Sequence, residues 1–268
     1  MRDGVIFVAT GTDYVDLARQ AARSLRETNP GLPIDLFTDR PEAEGLALFD
    51  AVHEVPSTHP RVKIECLPLA RFERVLFLDC DVLVLAGLGD LFELAGRFPL
   101  SLAHDVRRRS DLIRQGHAHA TPYAFPQFNS GVMLYRNDAR MRAFFAEWKR
   151  RYDAAGLERD QVTLKDLLWE SDLRFHVLPP EFNLRRVTML EAWEPLDAIP
   201  SIVHSHRFLQ HLRGGGPRVG NLQTLRRLER AALRAEWARD GDDAPWRPLP
   251  AGEGAGEAKD AGERKGEG

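Results

Sequence analysis

The sequence predicts an α/β fold in which a mixed, mostly parallel sheet is flanked by helices. Three observations predict it. Apolar runs of strand length alternate with a helical period over the first half of the chain. The runs are rich in Val, Ile, Leu and Phe at successive positions, as in strands covered on both faces. One run, residues 75–85, is broken by Asp79 and Asp81. Buried and unpaired, such charges would cost several kcal/mol, so they must emerge at a strand end, where α/β sheets bind ligands. At 268 residues, 43% hydrophobic and 29% charged, the chain can bury one sizeable core.

The first run, Val5 to Thr10, closes on Gly11-Thr12-Asp13. A helix follows, with Leu17, Ala21, Ala22 and Leu25 on one face and Asn29-Pro30-Gly31 as its stop. Pro33 to Thr38 reads as a second strand and Ala51 to Val55 as a short third. Residues 61–73 look helical, with a kink or restart at Pro68. The strand at 75–78 then delivers the Asp pair. Residues two apart on a strand point to the same side, so Asp79 and Asp81 can share one ligand if the chain turns there. A hard divalent cation such as Mg²⁺ or Mn²⁺ takes such oxygen ligands. The competing reading is a pair of solvated acids at a strand end.

After the apolar run Leu100–Ala103, residues 104–123 lack a clean period and read as a long loop. Phe128 to Tyr135 is a strand that opens on small polar residues; Asn137 to Tyr152 and Arg159 to Leu168 are helices. Phe175–Leu178 and Ser201–His204 are short strands. Asn221 caps a helix running to about Arg239, with Leu222, Leu225, Leu228 and Ala232 inward and its arginines mostly outward. Such a basic amphipathic helix either packs on the domain or makes peripheral contact with an anionic membrane. The domain organisation expected is therefore a catalytic-size domain over 1–220, a helix over 221–240 and a disordered tail over 241–268, where Ala, Gly and charge predominate.

A net charge of −3 gives no overall basic field to recruit nucleic acid, so anionic substrates would need a local basic site. No stretch approaches the ~20 apolar residues of a membrane span. The start runs straight into a strand, so the expected location is the cytosol. Cys66 and Cys80 are expected to be reduced and buried.

Taken in order, the segments with Thr10 and Tyr14, Lys63, Phe77-Leu78-Asp79-Cys80-Asp81, Phe128-Asn129-Ser130-Gly131-Val132, Asp160-Gln161, Leu178-Pro179-Pro180-Glu181-Phe182-Asn183 and Ile202-Val203-His204 resemble glycosyltransferase family 8 and its GT-A fold relatives. The resemblance covers roughly residues 4 to 208. It implies a GT-A, Rossmann-like sheet and a uridine diphosphate sugar as donor. It also implies a Mn²⁺ or Mg²⁺ ion held by Asp79, Asp81 and His204, with Asp79 also touching the ribose. Thr10 and Tyr14 would meet the nucleotide base, and Lys63 would approach the donor. Asp105, Asn129, Asp160 and Gln161 would hold the transferred sugar, which moves with retention of configuration. Gln161 would support the sugar's reactive face rather than act as a base, since an amide cannot take a proton.

The chain departs from the family after His204. A glycine and then Lys-Pro-Trp are usual there, but this sequence continues Ser205-His206-Arg207 and reaches Arg213 before Gly214-Gly215-Gly216. Arg207 or Arg213 is expected to replace the lysine, with the glycines permitting a mobile loop. Other readings are a neighbouring GT-A family and a sugar-nucleotide binding module without turnover. A phosphatase of the haloacid dehalogenase kind also uses a strand-Asp-x-Asp motif, but at its first strand and with a small hydroxyl residue soon after. Nothing in the sequence identifies the acceptor or the sugar.

Overall fold

The computed structural model describes residues 2–108, 110–114 and 116–240. The expected tail, 241–268, lies outside the described residues. Asp3–Ala9 forms β1 and Gly11–Thr28 forms α1, followed by Ile34–Thr38 (β2), Ala51–Glu54 (β3), Lys63–Cys66 (α2), Arg74–Leu78 (β4) and Val82–Val84 (β5). Leu100–His104 (β6), Asp111–Arg114 (α3), Phe128–Arg136 (β7), Ala139–Ala155 (α4) and Asp160–Glu170 (α5) make up the middle of the chain. Phe175–Val177 (β8), Ile202–His204 (β9) and Leu222–Asp240 (α6) complete it.

Seven strands form one sheet in the order β3-β2-β1-β4-β7-β6-β8. Every strand but β7 runs in one direction, since β7 alone pairs antiparallel with both of its neighbours, β4 and β6. Both faces are covered. Val5, Phe7 and Ala9 point into a core shared with α1, whereas Ile6, Phe77 and Met133 point into a second core with Phe145 and Trp148 of α4 and Leu164 of α5. That is why these strands read as continuous apolar runs.

Two expectations are corrected. Residues 61–73 are not one kinked helix: α2 is a single turn, continued by a 3-10 turn at Leu67–Leu69 that accommodates Pro68, and Ala70 is already extended. The strand expected at 75–78 is present as β4, with the Asp pair just beyond its end, and the chain continues into β5 of a separate two-stranded sheet with β9. The segment after His204 is not simply a loop, because His206–Arg213 winds into a 3-10 helix before Gly214 takes a left-handed conformation (φ 69°).

The helix at the C-terminal end is as expected: the Asn221 side chain accepts from the Thr224 N–H at 2.9 Å, and Leu225 is fully buried in the core. Its outward face carries Arg227, Arg230 and Arg234. Cys66 and Cys80 are both free and buried. No described helix is long and apolar enough to cross a membrane.

Candidate metal and sugar-nucleotide site

Two antiparallel registers bring the site together. In the β4–β7 pair Leu78 lies opposite Val132. One step beyond, the Asp79 N–H donates to the Gly131 carbonyl at 2.7 Å. In the β5–β9 pair Val82 lies opposite His204, and the Ser205 N–H donates to the Asp81 carbonyl at 3.0 Å. Between the two strands Cys80 points inward and donates its S–H to the Val8 carbonyl of β1 at 3.3 Å, which anchors the turn. Burial, with Asp79 and Asp81 on either side, pushes this thiol well above its ordinary pKa, so it is a packing residue rather than a nucleophile.

The turn aims Asp79 and Asp81 at His204. Nε2 of His204 is 3.1 Å from Asp81 Oδ1 and 3.9 Å from Asp79 Oδ2, and one ligand atom from each residue falls within 4.8 Å of the others. Burial opposes ionisation of Asp81, yet the charge of a protonated His204 and the Arg185 guanidinium hold its carboxyl well below the ordinary range. Two carboxylate oxygens and an imidazole nitrogen at this separation fit a divalent cation. Gly131 makes the cluster possible: a Cβ there would stand 2.1 Å from His204 Cε1 and 2.6 Å from Asp79 Oδ2.

Beside this cluster lies a buried polar network. Asp105 follows β6, with its N–H donating to the Gln127 carbonyl at 3.0 Å. Its Oδ2 accepts from Gln161 Nε2 at 3.0 Å and Asn129 Nδ2 at 3.4 Å. Gln161 also donates to the Phe128 carbonyl at 2.8 Å and accepts from Arg159 at 2.9 Å. Asp160 and Gln161 open α5, whose start is held by a bond from Trp148 Nε1 to the Asp160 carbonyl. Read without the family resemblance, Gln161 would be a surface residue, but it is 8% exposed.

Lys63, on the single turn of α2, reaches the same end of the sheet. Its Nζ lies 3.3 Å from Asp160 Oδ2, 3.5 Å from Asp79 Oδ1 and 3.0 Å from Ser130 Oγ. Burial would favour the neutral amine, but the charges of Asp160 and Asp79 raise its pKa instead. Asp160 is held below the ordinary carboxylate range despite its burial, by Lys63 and then Arg61.

The remaining candidates stand apart from the buried network. Thr10 precedes α1, and Tyr14, in its first turn, is 44% exposed. Arg207 is half-buried, and its Nε is enclosed with no hydrogen-bond partner among the described residues. Arg213 is exposed at the end of its 3-10 helix.

Sequence reasoning assigned no role to Ser130, Asn183 or Arg185. Ser130 bridges Lys63 and Asp160, donating to Asp160 Oδ2 at 3.1 Å. Asn183 sits between Asn129 and His204 at 3.0 Å from each. It is carried there by Leu184, which pairs with Val203 of β9. Arg185 donates to the His204 carbonyl at 3.1 Å and lies 3.9 Å from Asp105 Oδ1. Asn183 was visible within its motif, whereas Arg185 has no signal in a chain so rich in arginine.

Solved structures share this architecture. The glycosyltransferase GlyE of Streptococcus pneumoniae TIGR4 aligns at 21% identity with a TM-score of 0.58, over 90% of this chain and 64% of that one. The present chain thus spans less than two thirds of that protein's length. The galactosyltransferase LgtC, solved in complex with donor and acceptor sugar analogues, aligns at 19% identity with a TM-score of 0.53, over 76% of this chain and 86% of that one. Mouse xyloside xylosyltransferase 1 aligns at 16% identity with a TM-score of 0.53, over 76% and 97% of the two chains. The chain shares the GT-A fold with these glycosyltransferases. No protein-family model and no curated protein matches its sequence.

Proposed function

We propose that the chain is a glycosyltransferase that moves a hexose from a uridine diphosphate sugar to an acceptor, with retention of configuration and with the help of Mn²⁺ or Mg²⁺. The observation that carries this reading is the convergence of Asp79, Asp81 and His204 beside the buried network of Asp105, Asn129, Asp160 and Gln161. Asp79, Asp81 and His204 would hold the ion. When bound, it supplies positive charge to the diphosphate as the nucleotide departs.

The chain's own residues divide the remaining work. Lys63 places a fixed cation against Asp79 and Asp160, where a donor hydroxyl or phosphate oxygen can exchange for one of its present partners. The carboxylate of Asp105 and the amides of Asn129 and Gln161 offer the mixed acceptors and donors that sugar hydroxyls require. Gln161 positions the sugar and cannot serve as base. Thr10 follows β1 and Tyr14 lies in the first turn of α1, β1 pairs with the strand that leads into Asp79, and the open ring of Tyr14 offers a face for uracil. Arg207 and Arg213 are the candidates for the diphosphate clamp.

The acceptor would meet the site through the segment at 104–123 and the region after Asn183. Asp166 of α5 ties down part of that segment, accepting from the N–H groups of His117 and Ala118 at 2.7 and 2.6 Å. We place the protein in the cytosol. Any membrane contact through α6 would be electrostatic, because its leucines face the domain and arginines face outward.

Uridine diphosphate release from a donor panel, with Mn²⁺ and with chelator, tests this reading. Metal-dependent release is expected. Absence of both release and binding for every donor would overturn it. One observation favours a second reading, a binding module without turnover: no lysine follows His204 within the described residues. Product formation with any acceptor excludes it. The phosphatase reading loses ground because Val82–Val84, after the second Asp, is strand and supplies no hydroxyl.

A further inference from the structure

Which ring nitrogen of His204 carries hydrogen decides whether the residue can bind a cation. His204 is 3% exposed and has polar neighbours on both ring nitrogens. Nδ1 lies 3.0 Å from an oxygen of Asn183, itself 3% exposed, while Nε2 faces Asp81 and Asp79.

The answer follows from one backbone group whose polarity cannot be reversed. The Gly131 N–H can only donate, and it lies 3.1 Å from the side chain of Asn129. The atom of Asn129 that faces it must therefore be the oxygen, which leaves the Asn129 amide nitrogen toward the Asp105 carboxylate at 3.4 Å. That same Asn129 oxygen is 3.0 Å from the Asn183 side chain, so Asn183 must approach it with its NH₂ group. Asn183 is then obliged to present its oxygen to His204. A carbonyl oxygen only accepts, so Nδ1 bears the hydrogen. In the neutral imidazole Nε2 is then left with a bare lone pair. Facing a carboxylate oxygen at 3.1 Å, that position takes a cation, either a proton or a metal ion.

We propose that Asn183 is the positioning residue of the metal centre: through the chain Gly131–Asn129–Asn183–His204 it fixes the imidazole as the Nδ1–H tautomer and turns Nε2 toward Asp79 and Asp81. The proposal rests on the reading of those three residues as metal ligands and deepens it. It gives Gly131 a second role, since its missing Cβ makes room for the ring and its N–H sets the ring's tautomer. It also joins the two halves of the site, because Asn129 belongs to the proposed sugar pocket and is the second link in the chain that orients a metal ligand. Outer contacts of this kind typically change metal affinity by roughly ten- to a hundredfold when removed.

The test is a long-range ¹H–¹⁵N NMR spectrum of histidine-labelled, metal-free protein at about pH 8, above the ordinary imidazole range. The His204 signals are assigned by their loss in His204→Gln. Wild type is expected to show Nδ1–H and an unprotonated Nε2. Asn183→Leu should lose that preference and bind Mn²⁺ roughly ten- to a hundredfold more weakly, by titration calorimetry. Asn183→Asp, which keeps an acceptor opposite Nδ1, should retain the tautomer. An Nε2–H ring in wild type overturns the proposal even if Asn183→Leu fails to fold, and leaves the metal reading intact if Mn²⁺ still binds. An unchanged tautomer and Mn²⁺ affinity in folded Asn183→Leu overturns it too. An Nδ1–H ring in a wild type that binds no Mn²⁺ overturns the metal reading, and the role given to Asn183 falls with it.

Discussion

Gly131 and His204 are packed so closely that one methyl group cannot be added between them: a Cβ on Gly131 would lie 2.1 Å from Cε1 of the imidazole. Gly131→Ala is therefore expected to push the ring off the Asp79–Asp81 pair. The antiparallel register of β4 and β7 should hold, because it depends on backbone bonds and on Val132 packing. The expected result is a folded protein, by circular dichroism, with Mn²⁺ binding lost by calorimetry. Wild-type Mn²⁺ affinity in Gly131→Ala would show that the cluster is not a metal site.

Asp81 faces His204 more closely than Asp79 does, at 3.1 Å against 3.9 Å. Asp81→Asn should abolish Mn²⁺-dependent nucleotide binding and leave the fold intact. A ligand that binds only the folded state raises its stability by about 2.7 kcal/mol at a hundredfold excess over Kd. Uridine diphosphate with Mn²⁺ should therefore shift the melting curve of wild type and leave Asp81→Asn unmoved. Chelator should erase the shift in wild type.

Lys63 and Asp160 form a buried pair at 3.3 Å, with side chains 13% and 6% exposed. Removing one partner of such a pair strands the other charge and costs about 3–5 kcal/mol. Lys63→Ala should lose stability on that scale by urea denaturation, and Lys63→Arg much less. The pH dependence follows in sign. Asp160 titrates below its unfolded value, so its contribution is present above about pH 4 and fades as acid brings the pH down through its folded pKa. Lys63→Ala should therefore show a weaker acid-induced loss of stability than wild type. An equal loss would mean that the pair contributes nothing.

Gln161 holds Asp105 and the Phe128 carbonyl and touches neither Asp79 nor Asp81 in the hydrogen-bond network. Gln161→Ala should therefore keep its affinity for uridine diphosphate and lose most turnover, with kcat and kcat/KM falling together. Lost nucleotide affinity with unchanged kcat would remove Gln161 from the sugar pocket. With the wild type, NMR of the product should show retention, and an inverted product would remove the family 8 resemblance as a guide to mechanism.

The first half of the fold was legible because β1, β2 and β4 are buried along nearly their whole length and write that burial as runs of mostly apolar residues. The end of β4 at Asp79 was legible, because buried charges must leave a strand, but the separate sheet of β5 and β9 was not. β4 and β5 are both apolar, and only the partners they find, β7 for one and β9 for the other, place them in different sheets. Local pattern carries no information about such distant pairing. The 3-10 helix at His206–Arg213 was hidden for a related reason: Gly214 to Gly216 suggest a loop, yet they only terminate a helix whose Phe208 is fully buried in the core. Within the site, residues whose types are unusual in buried strands, such as Asp79, Asp81 and Asn129, announced themselves. Arg185 could not, since its importance lies wholly in what β9 and β6 bring beside it.

The 3-10 helix after His204 also separates the two arginines that are candidates for the missing lysine's place. A diphosphate with one divalent ion still carries negative charge, so a cation near the leaving group is required. Arg213 was the more attractive candidate from its glycines, which suggested a hinge. It instead ends exposed beyond a helix whose buried face is fixed by Phe208 and Leu209. Arg207 lies three residues from His204, half-buried, with its Nε enclosed and lacking a partner. A buried donor left unsatisfied is costly, and a phosphate oxygen would satisfy it. A charge-assisted contact is worth about 1.5–3 kcal/mol, so Arg207→Ala should weaken uridine diphosphate binding in the presence of Mn²⁺ by roughly ten- to a hundredfold. Arg213→Ala should change it by less than about threefold, the scale of an exposed ion pair. Calorimetric titration of both variants checks this. If Arg213→Ala carries the loss, the glycines after it do form a closing hinge; if neither does, the diphosphate is held without a cationic lid and the non-catalytic reading gains.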